Sequence, residues 1–200
     1  MRSSLRLTAV LATVVLFAGC TREKSELGEE HFQAGEYQLA IDEYTRILEI
    51  RPRTLGVLYN RGRAFEELGE EYKAVADFEK VLKLDNDHVQ AHLSLGNIDF
   101  QNQDYEGALY QFNLVVKKYN QNSDGLMFRG KANFKLGNLK EALQDYNAAI
   151  RVNSQNGNAY LYRGALNVNR KRLKSACSDF RRADVLGVVE AAEAIEKYCN

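Results

Sequence analysis

The sequence predicts an all-α solenoid of five helix–turn–helix repeats. Three observations carry this reading. Glycine stands at Gly28, Gly62, Gly96, Gly130 and Gly164, alanine at Ala40, Ala74, Ala108, Ala142 and Ala176, and an aromatic ring at Tyr44, Phe78, Phe112, Tyr146 and Phe180. Each row steps by 34 residues, with no insertion or deletion across five copies. Independent rows on one such period mark stacked helical hairpins. A fold of this kind works through binding surfaces, which makes every exposed row of interest.

The first nineteen residues stand apart from the rest. Arg2 and Arg6 form a basic start, and Leu7 to Ala18 is an apolar run broken only by Thr8 and Thr13. It is shorter than the roughly 20 residues that span a bilayer and has the length of a signal-peptide core. We therefore read residues 1–19 as a signal peptide.

The repeats are then 21–54, 55–88, 89–122, 123–156 and 157–190. In each copy the spacing predicts a first helix over repeat positions 2–14 and a second over positions 17–30. Gly35, Gly69 and Gly137 mark the turn between them. Polar clusters, such as Asp85-Asn86-Asp87 and Asn153-Ser154-Gln155-Asn156, separate the copies. Such residues favour turns and helix caps. A mid-helix glycine costs about 1 kcal/mol relative to alanine, so five at one phase must serve close packing. We expect Gly28 to face Ala40 across the hairpin, with Tyr44 filling the space toward the next repeat. Residues 191–200 continue the helical pattern with a more polar face and read as a capping helix.

Composition narrows the function. Basic and acidic side chains number 27 each, so no excess exists for a nucleic-acid backbone. Loss of the first nineteen residues removes Arg2 and Arg6 and leaves a formal charge of −2. No Ser/His/Asp set, carboxylate pair or phosphate-cradling loop has supporting context, and the repeat glycines fall inside helices. We expect no enzyme, no cofactor, no metal, no nucleic acid and no small-molecule substrate. His88 and His92 have a spacing that suits zinc, but the Asp-Asn-Asp run beside them is ordinary turn chemistry. Cys177 and Cys199 lie about nine and twelve residues from a turn near Leu186-Gly187-Val188. If the helices on either side run antiparallel, the two cysteines reach similar height and are expected to form a disulfide. The alternative has Cys177 simply filling the apolar row of Ile41, Val75, Leu109 and Leu143.

Two resemblances add to this. Phe17-Ala18-Gly19-Cys20 resembles the bacterial lipobox, which implies that Cys20 is lipidated and becomes the mature N-terminus. An ordinary cleaved signal with an incidental cysteine is the alternative. Thr21 after that cysteine points by analogy to the outer membrane, facing the periplasm. The glycine, alanine and aromatic rows of residues 21–190 resemble the tetratricopeptide repeat (TPR). That resemblance implies a right-handed superhelix whose first helices line a concave groove. The groove residues it implies are Tyr59, Arg63, Leu93, Asn97, Gln101, Met127, Lys131 and Lys135. An apolar stripe beside a polar, locally basic row suits an extended peptide or a partner helix. In the other reading, Phe100, Phe134 and Met127 are buried between neighbouring first helices. The two-carboxylate clamp that some members use to hold a chaperone C-terminus is absent. Its positions carry Tyr59, Arg63, Ser94, Asp124 and Phe128 in one register, and Ser25, Glu29, Asn60, Gln90 and Ser94 in the other. The expectation is a lipid-anchored adaptor for protein partners in a bacterial envelope complex. The alternative is a structural subunit that self-associates through its solenoid ends.

Overall fold

Helix follows helix along the chain. The computed structural model describes residues 25–199, and no strand occurs among them. Residues 25–33 belong to α1. The later helices are α2 (Tyr37–Ile50), α3 (Leu55–Glu67), α4 (Glu71–Leu84), α5 (Val89–Gln101), α6 (Tyr105–Lys118), α7 (Ser123–Lys135), α8 (Leu139–Val152), α9 (Gly157–Asn169), α10 (Leu173–Val185) and α11 (Glu190–Tyr198). The first helices of repeats 2–5 start at repeat position 1, one residue earlier than the spacing predicts. The signal segment and Cys20 lie outside the described residues.

Local chemistry sets the helix ends. In every copy the turn after the first helix closes with two backbone bonds. In repeat 2, Gly69 N–H donates to Glu66 C=O at 3.0 Å and Glu70 N–H to Phe65 C=O at 2.9 Å. This pattern needs a left-handed residue after the helix. Gly35, Gly69 and Gly137 supply it at φ +76°, +72° and +82°. Repeats 3 and 5 place Gln103 (φ 65°) and Lys171 (φ 59°) at the same point. The polar clusters cap the next first helix. Asn122 Oδ1 accepts from Gly125 N–H at 2.6 Å, Asn156 Oδ1 from Ala159 N–H at 3.1 Å, and His88 Nδ1 from Ala91 N–H at 3.1 Å.

The small-residue row works differently from the expectation. The nearest neighbours of each repeat glycine are atoms of its own repeat's ring, sixteen residues on. A Cβ would lie 2.6 Å from the Tyr44 ring at Gly28, 2.7 Å from Phe78 at Gly62 and 2.5 Å from Phe112 at Gly96. The ring therefore occupies the space that the sequence reading gave to the alanine. The same rings also reach forward. Phe112 stacks on Phe128 at 5.4 Å, Tyr146 meets Tyr162 at 6.2 Å, and Phe180 meets Tyr198 of the capping helix at 6.2 Å.

The chain divides into two compact units, one up to Ala91 and the other from His92. In the first unit the core gathers Ala40, Tyr44, Ile47, Leu58, Phe78 and Val81. In the second, Phe112, Leu126, Met127, Tyr146, Leu166 and Phe180 are buried. α11 packs on α10 and α9. A disulfide joins Cys177 of α10 to Cys199 just past α11, with Cα atoms 5.6 Å apart.

A second repeating row joins part-buried arginines to buried aspartates. Arg61 holds Asp77 through Nε at 2.7 Å and Nη2 at 2.9 Å. Arg129 holds Asp145 through Nε at 3.0 Å and Nη2 at 2.5 Å, and Arg163 holds Asp179 at 3.0 and 2.6 Å. Each Nη1 also donates backward to the preceding repeat's second helix, to Thr45 at 3.1 Å, Asn113 at 3.3 Å and Asn147 at 2.7 Å. One guanidinium thus fastens three helices. The aspartates are 2%, 5% and 6% exposed, a burial that demands this pairing. Repeat 3 has Leu95 and Gln111 at these positions, and Gln111 bonds His92 instead at 2.8 Å.

Candidate functional site

In the first unit, α1 and α3 form a cleft of about 170 Å³ lined by Glu29, Phe32, Gln33, Tyr59, Asn60 and Arg63. Its polar groups are already engaged. Glu29 accepts from Gln33 Nε2 at 2.8 Å, Asn60 Nδ2 at 3.3 Å and Tyr44 OH at 3.4 Å. Burial, followed by the charge of Glu29, pushes the Tyr44 phenol up to about 12, so it remains a donor. Arg63 lies over the Phe32 ring at 6.0 Å and faces Glu66 at 3.2 Å and Glu67 at 3.5 Å on its own helix. Burial raises the pKa of the Glu66 carboxyl, against the pull of Arg63.

The second unit repeats this arrangement with a different charge balance. Lys131 Nζ lies 4.3 Å from the Phe100 ring centre and 5.4 Å from that of Tyr162. It therefore bridges rings of α5 and α9 from its seat on α7. Lys135, one turn on, lies 5.9 Å from Tyr105, and Tyr105 meets Phe100 edge-on at 5.1 Å. Among the described residues, no carboxylate pairs with Lys131 or Lys135. Burial, and then the neighbouring Lys135, push the Lys131 ammonium below the ordinary lysine range.

The residues expected from the sequence separate accordingly. Tyr59 and Arg63 line the first-unit cleft. Lys131 and Lys135 share the aromatic bed of the second unit, and Gln101 is exposed beside Phe100 on α5. Asn97 is half-buried. Leu93 packs against the cluster of Ala108, Phe112 and Ala132. Met127 is a correction. It is 3% exposed and sits in the core with Val116, Leu126, Ala149 and Ala159. Its helix presents that face to α6, α8 and α9 rather than to solvent. Tyr105 and Tyr162 escape the sequence reading, because they stand at repeat positions 17 and 6, outside its groove rows. His88 caps α5 and meets the Tyr59 ring at a tilt, with centres 5.2 Å apart, and His92 bonds Gln111. Among the described residues, no group of three His, Cys, Asp or Glu side chains is placed to hold a metal ion. No helix among them is long and apolar enough to cross a membrane.

Comparison with known proteins assigns the class. Family models described as tetratricopeptide repeats match residues 55–88 and 72–123, and one described as a TPR repeat matches residues 130–169. The chain belongs to the tetratricopeptide-repeat proteins. The human FK506-binding protein-like protein is 39% identical over 77 residues, which is 38% of this chain and 22% of that protein. The chain thus spans about a fifth of the length of the curated relatives it matches. Among solved structures, MamA from Desulfovibrio magneticus superimposes with a TM-score of 0.72 at 21% identity, covering 83% of this chain and 94% of that one. YrrB, described as a TPR protein with an unusual peptide-binding site, gives 0.65 at 17% identity, covering 86% and 90%. These likenesses show the fold, a helical repeat solenoid. Repeats and neighbours together support a protein-interaction role.

Proposed function

We propose that the protein is a lipid-anchored adaptor that captures protein partners on the first helices of its repeats and serves a bacterial envelope complex. One observation carries the binding half. On α5, α7 and α9 the core leaves rings, amides and two lysines partly or fully exposed, the lysines without carboxylate partners, whereas the charges of the Arg–Asp row are spent internally. An open face of that kind suits a peptide laid across several helices. A photoreactive residue at Gln101 or Asn169, both exposed, should crosslink the same partner in intact cells, while one at Lys83 of α4 should not. Equal capture from all three positions, or none, removes the reading.

The anchoring half rests on the resemblance of Phe17-Ala18-Gly19-Cys20 to a lipobox. Cys20→Ala should abolish lipid labelling and either release the protein from the membrane fraction or leave the precursor uncut. A wild-type protein that takes no label and fractionates as soluble contradicts it. A second reading, self-association at the C-terminal end, draws on Val185 and Val189, which are 75% and 85% exposed. It requires light scattering to rise in mass with concentration, and Val185→Lys with Val189→Lys to abolish that rise.

A further inference from the structure

We infer that Lys131 and Lys135, on the bed of Phe100, Tyr105 and Tyr162, form an anion subsite for an acidic side chain of an extended peptide. The inference rests on the adaptor reading and names the chemistry of the partner.

The contrast between two equivalent positions makes the case. Arg63 and Lys131 both occupy repeat position 9, and each lies over a ring at position 12 of the repeat before, Phe32 and Phe100 respectively. Their neighbours on the next turn differ. Arg63 has Glu66 and Glu67 three and four residues on, and both face it. Lys131 has Phe134 and Lys135 at the same spacing. The first cation is neutralised within its own helix, and the second is repelled by its neighbour. Like charges one turn apart destabilise a helix, and a half-buried ammonium without a counterion has lost hydration that the rings offset only in part. Both costs fall when a carboxylate arrives between the two lysines.

The rings hold the receptor ready. Contact with an aromatic face stabilises a cation and fixes the Lys131 side chain, so less rotamer freedom is lost on binding. Ring contacts do not use up the three ammonium hydrogens, which can still donate to a ligand. Asn97 and Gln101, one turn apart on α5, flank Phe100. Neither amide bonds another side chain among the described residues, and such groups match a peptide backbone. Together these features favour an acidic residue carried in an extended chain over an isolated anion.

The test uses the full-length chain in detergent and fluorescein-labelled octapeptides followed by anisotropy. The main probe alternates glutamate and leucine and is acetylated and amidated. Its glutamine counterpart, the same counterpart with a free C-terminal carboxylate, and free glutarate complete the set. The acidic peptide should bind at least tenfold more tightly than the neutral one, and added salt should erase that preference. Lys131→Gln with Lys135→Gln should remove the preference, Lys131→Arg should keep it, and Lys83→Gln with Lys117→Gln on second helices should leave it unchanged. Equal binding of acidic and neutral capped peptides by wild type overturns the inference, and that comparison needs no variant to fold. Binding confined to glutarate or to the free terminus overturns it as well. If in-cell crosslinks from Gln101 persist while the acidic preference is absent, the subsite is wrong and the adaptor reading stands. If the preference is present and no crosslink forms, the adaptor reading is the one that fails.

Discussion

A single methyl group separates the seats that need glycine from those that do not. At Gly96 a Cβ would press to 2.5 Å from Phe112 Cε1, so Gly96→Ala should cost about 1–3 kcal/mol by overpacking. Gly56 lies in α3, and a methyl group added there would meet nothing within 4 Å. Gly56→Ala should instead stabilise by about 0.4–1 kcal/mol. Opposite shifts in thermal midpoint check the pair. The turn position gives a second contrast. Gly69→Ala forces a side chain into φ +72° and should cost about 1 kcal/mol. Gln103→Gly relieves the same conformation at φ 65° and should raise the midpoint, by less because glycine also loosens the unfolded chain. The turn is legible where glycine marks it. In repeats 3 and 5 the hydrogen-bond pattern imposes that backbone on Gln103 and Lys171, which no residue preference announces. Met127 misleads for a related reason. A first helix here is covered on more than one side, and period alone does not say which side stays open.

Between elements, the guanidinium clasps should dominate. Asp145→Ala leaves Arg129 and Asn133 facing an empty seat, since both donate to that carboxylate. The loss should be about 2–3 kcal/mol, below the roughly 3–5 of a fully buried pair because the arginine is partly open. Arg129→Leu with Asp145→Leu should recover most of it, read as a denaturant midpoint. Repeat 3 supplies the precedent, since it folds with Leu95 and Gln111 in these places. The clasp is on view in the sequence as arginine and aspartate rows sixteen residues apart. Two of five copies break the rows, and scattered charges on a neutral chain read as solvent-facing. Burial converts them into structure, and burial is a tertiary fact. The lysine site is half legible in the same way. Lys131 and Lys135 stand out from their rows, but the rings beneath them come from neighbouring helices.

For the molecule as a whole, the C-terminal staple and the periodic joints set the limits of change. The disulfide closes a segment of 22 residues, and reduction should lower stability by about 3 kcal/mol in the loop-entropy account. Calorimetry with and without reductant measures this, and Cys199→Ser should abolish the difference. The joints lead further. Arg129 reaches back to Asn113 and forward to Asp145, and Arg163 reaches back to Asn147 and forward to Asp179, always across sixteen residues. Deleting 130–163 would place Gly164 directly after Arg129 and set Asp179 sixteen positions ahead of it. The spliced chain would rebuild the clasp from Asn113, Arg129 and Asp179, and helical circular dichroism should report a folded protein. Unequal recombination between repeats in the gene makes such deletions, so repeat number is a trait that can drift without unfolding the product. The segment lost in this case carries Lys131 and Lys135. A lineage could then keep the scaffold and shed the anion site in one event, and natural length variants would be the place to look for altered partners.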